Sequence, residues 1–240
     1  MISIIIPALN EEKTIEKTLR SILELKDYEY EIILSDGRSK DKTIEIAQKL
    51  GAKVIQYEGT IRQTISNARN LGASIANGDF FVFLDADVII PDINNFFKKA
   101  LHLFENEEKL AGLAVRIKVL PVLETRADKF IFFVFDHLFL FYNNIIGFGG
   151  ASGEFQMIRS TFFKKLKGYD ETLSAAEDVE MFQRLAKAGK TRSELSLRVM
   201  HTGRRAHKIG WPKLLSQWIA NGVSVFLFKR SFNQVWEEIR

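Results

Sequence analysis

Apolar residues in the first hundred positions fall into short unbroken runs, and the stretches between them carry apolar residues at helical spacing. Ser3-Ile4-Ile5-Ile6, Glu31-Ile32-Ile33-Leu34 and Phe80-Phe81-Val82-Phe83-Leu84 are continuous rather than alternating. Such runs predict strands buried on both faces. Pro7 is expected to end the first strand. Asn10 is expected to cap a helix opened by Glu11 and Glu12, with Ile15, Leu19, Ile22 and Leu23 as its inner stripe. The second run ends at Ser35-Asp36-Gly37. Asp41 then caps a helix through Leu50, and Gly51 stops it. Val54-Ile55 is a short third strand. A helix over 61–76 and an Asn77-Gly78 turn lead into the Phe80–Leu84 run. Strand and helix thus alternate with short connections, which predicts an α/β fold: a mostly parallel, Rossmann-like sheet flanked by helices, with right-handed crossovers.

The second half is less regular. Ile93 to Phe104 and Ala176 to Ala188 carry helical spacing, and Ala111 to Val119, Glu154 to Ile158 and Leu195 to Val199 read as strands. Gly147 to Gly153 holds four glycines in seven residues, which would let backbone approach a ligand closely. Trp211 to Phe228 predicts a last, peripheral helix. Six of the chain's 20 phenylalanines lie between Phe130 and Phe141. That segment is too short to span a bilayer, and Asp136 and His137 interrupt it. It reads as a buried helix or as one lying in a membrane interface.

The Phe80–Leu84 run stops at Asp85-Ala86-Asp87. In open α/β sheets ligands bind beyond the carboxyl ends of the strands. Two carboxylates there repel unless a cation joins them, and hard oxygen donors suit Mg²⁺ or Mn²⁺. A solvated turn is the plainer alternative. Asp36 stands at the end of another strand, where it suits a base or ribose, or a turn. No Gly-x-Gly-x-x-Gly or phosphate-loop Gly-Lys-Ser/Thr follows the first strand, which disfavours dinucleotide and Walker-type sites.

The chain has 240 residues, net charge +4 and pI about 9.1. Part of that charge sits in the run His201 to Lys208, expected as a mobile basic loop between Gly203 and Gly210. It suits phosphates or an anionic membrane surface. No nucleic-acid motif accompanies it. The absence of cysteine excludes disulfides, thiol nucleophiles and cysteine zinc sites. With a strand pattern starting at Ile2 and no secretory signal, the expected location is cytoplasmic, peripheral on the cytoplasmic membrane face.

Ile4-Ile5-Ile6-Pro7-Ala8-Leu9-Asn10-Glu11-Glu12 and Ser35-Asp36-Gly37-Arg38-Ser39-Lys40-Asp41-Lys42-Thr43 resemble the opening of the family-two glycosyltransferases. Asn67-Ala68-Arg69-Asn70-Leu71-Gly72, Gly78-Asp79, Phe83-Leu84-Asp85-Ala86-Asp87 and Glu177-Asp178 continue the resemblance in order, over roughly residues 1 to 201. The resemblance implies a GT-A fold over 1–203, with a nucleotide-binding half (1–110) and an acceptor half (111–203). Residues 204–240 would be a basic loop and C-terminal helical appendage. It implies transfer of a sugar, with inversion, from a UDP- or GDP-sugar to an acceptor hydroxyl, on a sugar or a lipid-linked acceptor, with Mn²⁺ or Mg²⁺. Carried over, Pro7, Asn10 and Glu12 line the nucleoside pocket, and Asp36 bonds the base. Arg69 lies near base or diphosphate, and Asp85 meets ribose or metal. Asp87 binds the metal, His201 is a further metal or diphosphate ligand, and Asp178 is the general base. Where the family often has two aspartates this chain has Ser35-Asp36, and Arg38 stands where serine is common. The Gln-x-x-Arg-Trp signature of processive members is absent, so single addition is implied.

Two other classes fit parts of the sequence. A sugar nucleotidyltransferase shares a similar sheet, although no early glycine-rich basic loop follows Ile6. A non-catalytic membrane-surface module would use the Phe-rich segment, the basic run and Val223 to Phe228.

Overall fold

The three unbroken apolar runs lie in one half of a seven-stranded sheet, seen in a computed structural model that describes residues 1–232. The strands are β1 (Ile2–Ala8), β2 (Tyr30–Asp36), β3 (Lys53–Gln56), β4 (Phe80–Leu84), β5 (Leu110–Val119), β6 (Phe155–Arg159) and β7 (Lys190–His201). Their order is β3-β2-β1-β4-β6-β5-β7, and β6 alone runs against the rest. Helices α1 (Ile15–Ile22), α2 (Thr43–Lys49), α3 (Ile65–Ser74) and α4 (Ile93–Asn106) connect the first half. The second half holds α5 (Arg126–Leu140), a π-helical turn (Phe141–Ile145), α6 (Ser160–Lys165), α7 (Glu177–Ala188), α8 (Arg204–Ile209) and α9 (Trp211–Phe228).

The runs are continuous because both faces of the sheet are covered. Ile4, Ile6, Val82 and Leu84 pack with α1 and α4 on one face, whereas Ile5, Phe81 and Phe83 pack with α6 and α7 on the other. The core therefore lies in two layers with the sheet between them.

Pro7 does not end β1. Its Cα partners Ser35 within the strand. The Ala8 carbonyl accepts Gly37 N–H at 2.8 Å, so Ala8 faces β2 and Pro7 faces β4. The β1–β4 register stops at Ile5↔Phe83, so no partner strand needs the amide that proline lacks.

Asn10 is not the cap of α1. It is left-handed (φ 55°), and its Oδ1 accepts Lys40 N–H at 2.8 Å. Residues 11–14 form turns, and α1 starts only at Ile15. Asparagine tolerates this backbone, so the signal that suggested a cap marks a loop clasp instead. Asp41 is not the cap of α2 either: Lys42 holds that position, and Asp41, one residue earlier, accepts Thr43 N–H at 3.0 Å.

β7 is twelve residues long, more than twice the run read from sequence, because its inward positions Thr191 and Ser193 are buried polar residues that break the apolar pattern. The basic run after His201 is helical rather than a loop: α8 begins at left-handed Gly203 (φ 67°). Positions 233–240 of the expected C-terminal appendage lie outside the described residues.

Candidate functional site

Parallel pairing sets the site. Asp36 is level with Ala8 of β1, and Ile5 is level with Phe83 of β4. Asp36 and Asp85 therefore stand on one rim with β1 between them, about 10 Å apart at the usual strand spacing. Beyond that rim lies a cavity of about 1090 Å³ whose wall includes Pro7, Arg69, Asp85, Asp87, Asp178 and His201.

Arg69 is the hub. Thr64 caps α3 by accepting Asn67 N–H at 3.1 Å, and the helix carries Arg69 under the sheet rim, where it is 2% exposed. Its Nη1 donates to Glu177 Oε1 at 2.7 Å, and its Nη2 donates to the Gly153 carbonyl at 2.9 Å and lies 3.5 Å from Asp85 Oδ1. The guanidinium stacks over Tyr169, 5.3 Å from the ring centre. One buried cation thus ties a strand end, a glycine-rich loop and the start of α7.

That start is strained. Ala176, the residue before Glu177, is left-handed (φ 61°), unusual for a residue with a Cβ. It aims Glu177 at Arg69 and leaves Asp178 on the cavity wall. Burial pushes the Asp178 carboxyl up, Glu177 adds repulsion, and Arg69 opposes both. Burial pushes Asp85 up to about 7, with Arg69 opposing and Glu154 and Asp87 adding to the rise. Both carboxylates hold protons more tightly than free aspartate, which suits a proton acceptor.

Asp87 is 6% exposed. It accepts from Thr202 Oγ1, and its Oδ2 lies 3.5 Å from Arg204 Nε. Arg204 also grips Glu11 in a fork, at 2.6 and 2.7 Å. His201 is buried with its ring edge on Phe132 and its Nδ1 3.9 Å from Glu154, while its Nε2 has no hydrogen bond. Among the described residues no three His, Asp or Glu side chains form a ready-made metal cage. The donor set still suits a hard divalent ion: Mg²⁺ sites commonly use one or two carboxylates and fill the remaining positions with substrate phosphates and water. Asp85 and Asp87, both on the cavity wall, supply that much, and His201 lies on the same wall.

Asp36 is fully buried. Its Oδ2 accepts Arg38 N–H at 2.8 Å and Ser39 N–H at 2.9 Å, while Oδ1 has no partner. Asp36, expected to bond the base, lies outside the cavity wall, as do Asn10 and Glu12, expected on the nucleoside pocket. The latter two act on the 39–42 loop: Asn10 N–H donates to Ser39 Oγ, and exposed Glu12 accepts Lys42 N–H at 3.2 Å. Glu11, between them in sequence, is the residue of the trio that faces inward. Adjacent residues in a turn point to different sides, and no spacing rule chooses between Glu11 and Glu12. Glu154 and Thr202 carry no signal in the sequence, since each acquires meaning only beside His201 or Asp87.

The sequence profile of Glycosyl transferase family 2 matches residues 3–167. A 4,4'-diaponeurosporenoate glycosyltransferase of Staphylococcus haemolyticus is 43% identical over 98 residues, 39% of this chain and 25% of that protein. A dolichyl N-acetyl-alpha-D-glucosaminyl phosphate 3-beta-D-2,3-diacetamido-2,3-dideoxy-beta-D-glucuronosyltransferase of Methanococcus voltae is 37% identical over 124 residues, 47% of this chain and 37% of that protein. The chain thus matches well under half the length of these curated relatives. A mannosyltransferase of Pyrobaculum calidifontis, solved with GDP-Man and Mn²⁺, superposes with a TM-score of 0.71 at 17% identity, covering 91% of this chain and 61% of its own. At that identity the likeness speaks for the GT-A fold alone.

Proposed function

The chain belongs to Glycosyl transferase family 2, and from that premise we propose that it moves one sugar, with inversion, from a UDP- or GDP-sugar to an acceptor hydroxyl. The observation that carries this reading is the Arg69 hub. It puts Asp178 and Asp85 on the wall of one cavity, where a base and a diphosphate site are both needed.

In this reading the nucleoside lies over the ends of β1 and β2. Pro7 lines it, and Asp36, buried behind the cavity wall, supports the base end by holding the Arg38 and Ser39 amides. Asn10 and Glu12 contribute by holding the 39–42 loop. Asp85, Asp87 and His201 would hold Mn²⁺ or Mg²⁺, which when bound stabilises charge on the departing diphosphate. Arg204, held by Glu11 beside Asp87, adds fixed positive charge near the diphosphate. Asp178 takes the proton of the acceptor hydroxyl as its oxygen attacks the anomeric carbon from the side opposite the leaving group. Its raised proton affinity suits that task. The buried Arg69, which stays charged, opposes the burial that raises the Asp85 carboxyl and pairs with Glu177.

A thermal-shift series with UDP- and GDP-sugars, with and without Mn²⁺, tests donor and ion together. Stabilisation that needs both is expected. Full turnover by Asp87→Ala would remove the metal assignment, and pyrophosphate release in place of nucleoside diphosphate would favour a nucleotidyltransferase. We also place the protein peripherally on the cytoplasmic membrane face, near lipid-linked acceptors. The support is the exposed Phe130, Phe133, Phe226 and Phe228 beside Lys129 and Arg230. No helix among the described residues is long and apolar enough to cross a membrane. Failure to co-sediment with anionic vesicles at low salt would count against this placement.

A further inference from the structure

The cavity has a second end that the transfer step does not use. It extends from Asp178 between α5 and α9, where Phe135, Phe139, Tyr142, Trp218 and Phe226 form much of its wall. The rings make a nearly continuous lining: Phe135 packs edge-on to Trp218 at 5.3 Å and Tyr142 to Phe148 at 5.6 Å, and Phe148 lies tilted against Phe226 at 5.9 Å. Ligand sites usually occupy about 300 to 1000 Å³. At about 1090 Å³ this one has room for a donor and part of a second molecule.

Gly222 keeps the apolar end open. It sits inside α9 on the cavity wall, and a Cβ built on it meets no atom within 4 Å. A mid-helix glycine costs about 1 kcal/mol relative to alanine. Here neither a turn nor a close backbone contact calls for glycine, and any larger side chain would project into the open space.

The two ends are close. A Cβ at Gly150 would lie 2.9 Å from the Phe139 ring, and one at Gly153 would lie 3.2 Å from Asp178 Oδ2. Three residues span at most about 10 Å. Asn143 fixes this loop by bonding both the carbonyl and the amide of Gly150.

We infer that the channel between α5 and α9 holds the long hydrocarbon chain of an amphipathic acceptor, whose hydroxyl reaches Asp178. A peptide segment would bring amides into a largely aromatic wall that offers them few partners, at several kcal/mol each. A hydrocarbon chain brings none. The exposed Phe226, Leu227 and Phe228 at the end of α9 give such a chain an apolar entrance. The contact with Asp178 rests on the glycosyl-transfer reading; occupancy of the channel does not.

The probe is an undecyl β-D-glucoside dibrominated at the chain end, used below its micelle concentration with the full chain. Bromine quenches indole on contact, and Trp211 and Trp218 both line the cavity. Saturable quenching is expected, weakening up to about fourfold for each methylene removed from the chain. Gly222→Phe fills the channel while improving helix propensity, so it should reduce affinity at least tenfold. It should leave the thermal shift by nucleotide sugar intact. Phe130→Ser, on the outer face of α5, should change neither. Absence of saturable quenching, or quenching unaffected by Gly222→Phe, would overturn the inference. So would quenching lost in Phe130→Ser, which would put the chain on the outer surface, or lost on self-association, which would put a second copy over the face. Quenching that behaves as expected while no nucleotide sugar binds would leave the channel standing and remove the transfer reading.

Discussion

The two ends of the cavity are built by opposite rules. At the strand-end rim, side chains are pinned by directional bonds: Arg69 alone contacts Glu177, Gly153 and Asp85, and Arg204 forks onto Glu11. Between α5 and α9, contacts are mostly ring against ring; Asp136 and Asn221 are buried polar groups on that wall, and another works behind it. Asp128, fully buried, accepts from Thr125, from His207 Nε2 at 2.9 Å and from Trp211 Nε1 at 2.8 Å, so it clamps α5, α8 and α9 together. Burial alone would raise its proton affinity, but those donors hold its carboxyl below the usual range. A charged transition state needs fixed dipoles, whereas an apolar ligand needs only shape and dryness. One region can thus fail by the loss of a single bond, and the other only by the loss of volume.

Substitutions at the rim should therefore cost most. Asp178→Asn keeps the shape and removes the base, so transfer should fall by about 10²–10⁴-fold with folding intact, read by single-turnover kinetics. In the parent, protonated Asp178 cannot act, and its proton affinity is raised; kcat/KM should rise with pH and reach its plateau well above the ordinary aspartate range. A plateau already reached at pH 5 would argue against Asp178 as base. Arg69→Ala leaves Glu177 buried without its cation and should cost about 3–5 kcal/mol in urea unfolding, and Arg69→Lys should not restore it because lysine lacks the fork.

The aromatic end should respond more gently. Asp136 on α5 is its buried carboxylate, near Arg116 and the Ile117 amide, and burial pushes it up to about 6. A raised folded pKa means that the protonated form is favoured in the fold. Its stability contribution is complete below the unfolded value near 4 and is lost as pH rises through about 6. The loss is about 3 kcal/mol, at 1.4 kcal/mol per unit. Asp136→Asn should remove that slope from urea unfolding between pH 4 and 7. Phe130→Ser, on the outer face of the same helix, should shift stability by no more than about 0.5 kcal/mol.

The fold was legible where burial leaves unbroken runs. Ile4–Ile6, Ile32–Leu34 and Phe80–Leu84 are central strands, and Trp211–Phe228 is helical over its whole predicted length. It was not legible where polar residues face inward, as in β7, nor where one residue type serves two local structures, as Asn10 does. The missed helix at Arg204–Ile209 is a single short segment between glycines, where the same punctuation fits a loop.

For the site, residue order along the chain determined which carboxylates end strands, because a strand that stops at Asp85 must present it at the sheet rim wherever the strand pairs. The tertiary structure alone decided which charges meet. Arg69 lies 108 positions from Glu177, and Arg204 lies 193 from Glu11. Such pairs depend on strand register and on the rotation of a helix about its axis, both set by packing across the whole sheet. The same packing leaves a channel between α5 and α9, a volume that no single segment encodes.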